Sequence, residues 1–111
     1  MHNDCLFCKI ASGKTDTRFI YEDDTLVVFK DKYPYRPVHL LIVPKKHIRS
    51  VNDLTPEDRD IVSEMIFKAP DIAREFKIKK EGYKLLFNVE RGGGQVIFHL
   101  HLHLMSGRKQ Q

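Results

Sequence analysis

No apolar run in this chain approaches the roughly 20 residues that a membrane-spanning helix needs. The first residues, Met1-His2-Asn3-Asp4-Cys5, lack the basic stretch and apolar core of a secretory leader. Both absences predict a cytoplasmic protein with no membrane attachment. Cysteine is scarce, with only the two of Cys5-Leu6-Phe7-Cys8. In a reducing compartment that spacing signals metal binding, redox chemistry or coincidence more than a structural disulfide. Massed positive charge is missing too: the formal net charge is +4, yet the lysines are scattered or paired, as at Lys45-Lys46 and Lys79-Lys80. That distribution suits a small anionic ligand and argues against a nucleic-acid polymer as partner. No repeat or low-complexity linker interrupts the 111 residues, a length that predicts one domain, residues 1–111, around one core.

With 41% hydrophobic and 31% charged residues the composition is that of a globular protein,. Residues 5–12, closed by Gly13, predict a short helix. Phe19-Ile20-Tyr21 and Thr25 to Phe29 flank an acidic turn as a hairpin, and Asp31 to Pro37 is a loop,. Val38 to Val43, nearly all apolar and closed by Pro44, predicts a central strand,. Thr55-Pro56-Glu57-Asp58 is a helix start: a capping hydroxyl, a first-turn proline, and acids at the positive end of the dipole. Ile61, Met65, Ile66, Ala69, Ile72, Ala73 and Phe76 then recur at helical spacing as core positions,. Pro70 predicts a kink or a division into two segments. Tyr83 to Asn88 and Val96 to Met105 predict strands on either side of a turn at Arg91 to Gly94. The order gives an α+β fold: a mainly antiparallel five-stranded sheet with two helices.

The run His99-Leu100-His101-Leu102-His103-Leu104-Met105 carries the functional signal. On a strand it places three imidazoles on one face, about 6.6 Å apart, and three leucines on the other. Neighbouring groups that titrate near neutrality repel when protonated and need partners when buried, which makes them a costly choice for a merely structural face. Two readings stay open: a metal site with an open position for water, and a nucleophilic site in which a neutral imidazole attacks an electrophile. Gly92-Gly93-Gly94-Gln95 directly precedes the run; it is a hairpin turn or a turn facing phosphate. Cys5 and Cys8 form half of a tetrahedral zinc site, with His47 and one triad histidine as the natural completing ligands, or they are two small buried residues. His2 and His39 have no partner that the sequence points to.

The triad resembles the signature of the histidine triad (HIT) family, in which three histidines alternate with apolar residues. The likeness runs in order through Leu6-Phe7-Cys8-Lys9-Ile10, Tyr21 to Asp24, Phe29-Lys30-Asp31, Pro44-Lys45-Lys46-His47, Asn88 and Gly93-Gly94-Gln95. Ser106-Gly107-Arg108 looks like the Gly-Gly-Arg of the Hint branch, which hydrolyses purine nucleoside phosphoramidates. The sister Fhit branch cleaves dinucleoside polyphosphates, and a nucleotide-binding scaffold is a non-enzymatic alternative. The resemblance implies His101 as nucleophile toward an α-phosphorus, His103 on the phosphate or leaving group, and His99 in support. It implies purine nucleotide binding (AMP, GMP and their phosphoramidates) by Leu6, Phe7, Ile10, Phe29 and Ile97 around the base. Asp31 would take the ribose, and Asn88, Gly94, Gln95, His101 and His103 the phosphate. It further implies structural zinc on Cys5, Cys8, His47 and His99, and a homodimer that extends the sheet. Val96 departs from the Ser or Thr common in the Hint branch, and Ser106 from its first glycine.

Overall fold

The computed structural model describes residues 5–107. His2 and Arg108, both named above, lie outside them. A five-stranded antiparallel sheet has the order β1-β2-β3-β5-β4, formed by β1 (Tyr21–Glu22), β2 (Leu26–Lys30), β3 (Val38–Pro44), β4 (Lys84–Leu86) and β5 (Leu102–Ser106). Two helices, α1 (Leu6–Ala11) and α2 (Arg59–Glu75), cover its opposite faces. This burial on both sides explains why β2 and β3 are apolar almost throughout instead of alternating. Leu26, Val28, Leu40, Ile42, Leu102 and Leu104 pack with Met65, Ala69, Ile72 and Ala73 of α2. Val27, Phe29, Leu41 and Val43 pack with Phe7, Ile10 and Ala11 of α1. Each large aliphatic side chain buried this way contributes about 1.5–3 kcal/mol.

The expected start at Thr55 is a separate 3-10 turn, Pro56–Asp58, which leads into α2 at Arg59. Asp58 accepts from the Thr55 N–H at 3.0 Å and its hydroxyl at 3.3 Å, while Lys46 binds the same carboxylate at 2.6 Å. Its body departs from expectation in two ways. Pro70 lies inside one continuous helix, so the division into two segments does not occur, and Ala69, Ile72 and Ala73 around it pack on the sheet. Ile66 is 41% exposed beside the still more exposed Phe67, because the stripe facing the sheet is narrower than the sequence pattern allowed. Among the described residues no helix is long and apolar enough to cross a membrane.

The last strand also begins later than predicted, at Leu102 instead of Val96. The β3–β5 register pairs Ile42 with Leu102, which carries Pro44 opposite Leu100. Proline has no N–H for the ladder, and Leu100 donates instead to Ile48 O at 2.6 Å. Residues 96–101 therefore run as irregular chain. That local freedom separates the first histidine from the other two.

Candidate active site and metal site

Side-chain alternation survives the loss of ladder pairing. Leu100, Leu102 and Leu104 enter the core beneath α2, and the triad histidines turn to the α1 face. They do not form one row. His101 and His103 have ring centroids 4.8 Å apart, whereas His99 turns toward the cysteines. All three are buried or half-buried, His99 completely and His101 to 9% exposure, so each nitrogen needs a partner.

The partners fix the tautomers. A carbonyl can only accept, so His101 Nδ1–H donates to His99 O at 2.7 Å and Nε2 keeps its lone pair. Burial lowers the His101 pKa from its ordinary value, leaving the ring neutral and nucleophilic at pH 7. A second chain of hydrogen bonds meets it. The Tyr35 N–H donates to His39 Nδ1 at 2.9 Å, which leaves the single proton of neutral His39 on Nε2. That proton points to His103 Nδ1 at 2.9 Å, with the Asp31 carboxylate 3.3 Å from the same nitrogen. His103 must then carry its proton on Nε2, which is buried and has no partner among the described residues. Burial, with repulsion from His101 and His39, pushes the His103 pKa down to about 4. His39, for which the sequence offered no role, is thus the middle of this chain. The strand register brings it there: Leu41 pairs with His103 across the sheet, and His39 lies two residues away on the same face.

A cavity of about 820 Å³ opens over this pair. Leu6, Phe7, Ile10 and Phe29 line its apolar part. Asp31, Asn88, Gly94, Ile97, Lys30 and Lys32 line it as well, with His101 and His103. Val96 lines the mouth at 83% exposure. Gln95 is not on the wall. It is buried behind the glycine turn, where its side chain accepts from Glu90 N–H at 2.7 Å and donates to Arg49 O at 2.7 Å. The Gly94 and Gln95 N–H groups donate to Arg91 O and Glu90 O. Gly94, at φ 88, ends the turn against the Asn88 side chain, with room for a Cβ 3.9 Å away but a backbone that favours glycine,.

His99 occupies a different cluster. Its Nε2–H donates to Pro44 O at 2.8 Å, freeing Nδ1, which lies 3.4 Å from both Cys5 and Cys8 Sγ. His47 Nδ1 is 3.2 Å from Cys8 Sγ. Cys5 caps α1, its sulfur 3.4 Å from the Cys8 N–H, and that single turn brings the two sulfurs together. The four donor atoms lie within 4.8 Å of one another. A tetrahedral zinc shell requires S···N separations of about 3.5 Å, so the donor set and spacing fit that ion. Burial and the neighbouring Cys5 push the Cys8 thiol up to about 11; a bound cation reverses that preference and draws out the thiolate. Both His99 nitrogens are committed here, so its expected catalytic part reduces to the backbone carbonyl that orients His101.

Comparison with known proteins agrees with this geometry. A family model described as "Scavenger mRNA decapping enzyme C-term binding" matches residues 4–111. Protein HitA of Neisseria gonorrhoeae is 42% identical over 103 residues, 93% of this chain and 95% of that protein. The purine nucleoside phosphoramidase of Escherichia coli (strain K12) is 37% identical over 108 residues, 97% of this chain and 91% of the relative. The crystal structure of a HIT family hydrolase from Legionella pneumophila Philadelphia 1 superposes with a TM-score of 0.91 at 42% identity, covering 96% of each chain.

Proposed function

The chain belongs to the histidine triad family of hydrolases, and from that premise we propose that it cleaves purine nucleoside 5′-phosphoramidates. One observation supports the reading: His101, its Nδ1–H held by a carbonyl, stands beside His103, whose Nε2 has no partner among the described residues. His101 Nε2 attacks the α-phosphorus and the P–N bond breaks. The departing nitrogen is hydrogen-bonded by His103 Nε2–H and takes a proton from solvent to leave as the amine. The nucleotidyl-imidazolium keeps its Nδ1–H on His99 O, which stabilises the positive charge,. Water then attacks the same phosphorus, the P–N bond to His101 breaks to return the neutral imidazole, the proton that water loses goes to solvent, and a nucleoside monophosphate such as AMP or GMP is released.

Leu6, Phe7, Ile10, Phe29 and Ile97 would enclose the base, which apolar contact holds without hydrogen-bond readout,. Asp31 would accept from the ribose, and the Asn88 amide would hold a phosphate oxygen beside Gly94. Cys5, Cys8, His47 and His99 would bind zinc as a structural ion. It ties α1 to the triad segment and fixes the carbonyl on which His101 is oriented. Thiolate ligation suits a reducing compartment, the cytoplasm. A homodimer belongs to the same proposal, since β4 ends the sheet and Ile66 and Phe67 of α2 are exposed.

The test is intact-protein mass spectrometry after acid quench with adenosine 5′-phosphoramidate, run beside a dinucleoside polyphosphate. An adenylyl adduct mapped to His101, formed faster from the phosphoramidate and missing in His101→Ala, is the expected result. Faster reaction of the polyphosphate would move the chain to the sister activity, and nucleotide binding with neither adduct nor turnover would leave a binding protein.

A further inference from the structure

Glu90 adopts φ 58 and ψ −178, a backbone region that strains any side chain and that glycine enters freely. The residue is nevertheless a glutamate, and its own side chain holds it there. Arg49 forks onto the carboxylate, with Nε at 3.1 and 3.2 Å and Nη2 at 3.0 Å. Ser50, itself fully buried, donates its hydroxyl at 2.8 Å. The backbone is tied as well: Glu90 N–H donates to Gln95 Oε1, and Glu90 O accepts from the Gly93 and Gln95 N–H groups. The same network reaches the triad segment. Arg49 lies over the Phe98 ring at 4.2 Å, and Gln95 Nε2 donates to both Arg49 O and Ile97 O. Glu90 therefore joins the loop after β3, the turn that carries Asn88 and Gly94, and the chain leading to His101.

We propose that Glu90 is a positioning residue: its clamp by Arg49 and Ser50 offsets the strain of a positive φ and fixes the Asn88–Gly94 turn on the cavity wall. The inference rests on the phosphoramidate reading, in which that turn meets the phosphate. Removing the clamp while keeping the strain lets the turn relax to another shape. Removing both lets glycine hold the native shape without help.

Glu90→Ala and Glu90→Gly separate the two effects, with rates taken where circular dichroism shows all three chains folded. For adenosine 5′-phosphoramidate, kcat of Glu90→Ala falls about ten-fold with KM changed by less than about two-fold, and Glu90→Gly returns to within about three-fold of wild type. Equal losses in the two variants, or a wild-type kcat in Glu90→Ala, overturn the proposal. If the wild type itself fails to turn over, the functional reading fails, and the amide resonances of Asn88 and Gly94 in the free proteins decide Glu90 alone. Displacement in the alanine variant with recovery in the glycine variant supports it; unchanged resonances in the alanine variant refute it.

Discussion

Cys5, Cys8, His47 and His99 bring four donor atoms within 4.8 Å, and Asp31, His39 and His103 bring three within the same limit. The Phe7 ring lies against the first group and against the neighbour of the second, with centroids 6.1 Å from His99 and 5.0 Å from His101. By composition either cluster could hold a cation. Their second hydrogen bonds separate them. Pro44 O draws the His99 proton to Nε2 and leaves Nδ1 bare toward the sulfurs. The Tyr35 N–H takes the lone pair of His39 Nδ1 and leaves a proton on Nε2, between the two groups that would have to ligate. A metal there would force His39 Nδ1 to carry a proton against a backbone donor. The donor set of one cluster thus fits a metal, the tautomers of the other suit the proposed hydrogen-bond-donating role, and backbone groups make the difference.

The comparison can be broken most severely at the nucleophile. His101→Ala lowers kcat by about 10³-fold or more, while zinc content, read by atomic emission, stays as in wild type. Next comes the proton chain. His39→Leu removes the donor to His103 and lowers kcat by about 10²-fold, again at unchanged zinc; loss of zinc from that variant would contradict the division. Cys5→Ser acts on the other cluster. It lowers the thermal midpoint by roughly 10 °C and removes zinc, following the loss of ligand-linked stability.

Acid should affect the proton cluster through its histidines. Both His101 and His103 have pKa values below the ordinary 6.5, His103 at about 4. Below 6.5 the unfolded chain binds protons that the folded chain refuses, so the stability these rings contribute is present above 6.5 and is lost as pH falls toward about 4,. Denaturant melts across that window should show the fall, and kcat/KM should stay level from pH 7.5 to about 6.5, where His101 remains neutral. The smallest effect belongs to Val96→Ser. At 83% exposure it changes stability by less than about 0.5 kcal/mol, and a series of phosphoramidates with different amines should register it only as a changed leaving-group preference.

Most of the frame was legible in the chain. The apolar runs of β2 and β3, the Thr55–Asp58 start of α2 and the spacing of Cys5 and Cys8 each carried a local physical signal. What was missed depended on contacts distant in sequence. Pro44 decides where β5 stops pairing through a register that no local pattern displays. Ile66 fits the helical period yet lies beyond the width of sheet that α2 covers. Pro70 is tolerated because tertiary packing outweighs one lost helical hydrogen bond, an interior cost of about 3 kcal/mol. His39 acquires its role only when β3 and β5 lie side by side, and Glu90 looked like any surface acid until its backbone angle was known.

The division between the clusters is most directly tested by long-range ¹H–¹⁵N correlation of the imidazole nitrogens near pH 7. The account predicts a bare Nε2 and protonated Nδ1 for His101, with protonated Nε2 for His39, His99 and His103. A proton on His101 Nε2, or a bare His39 Nε2, would contradict it.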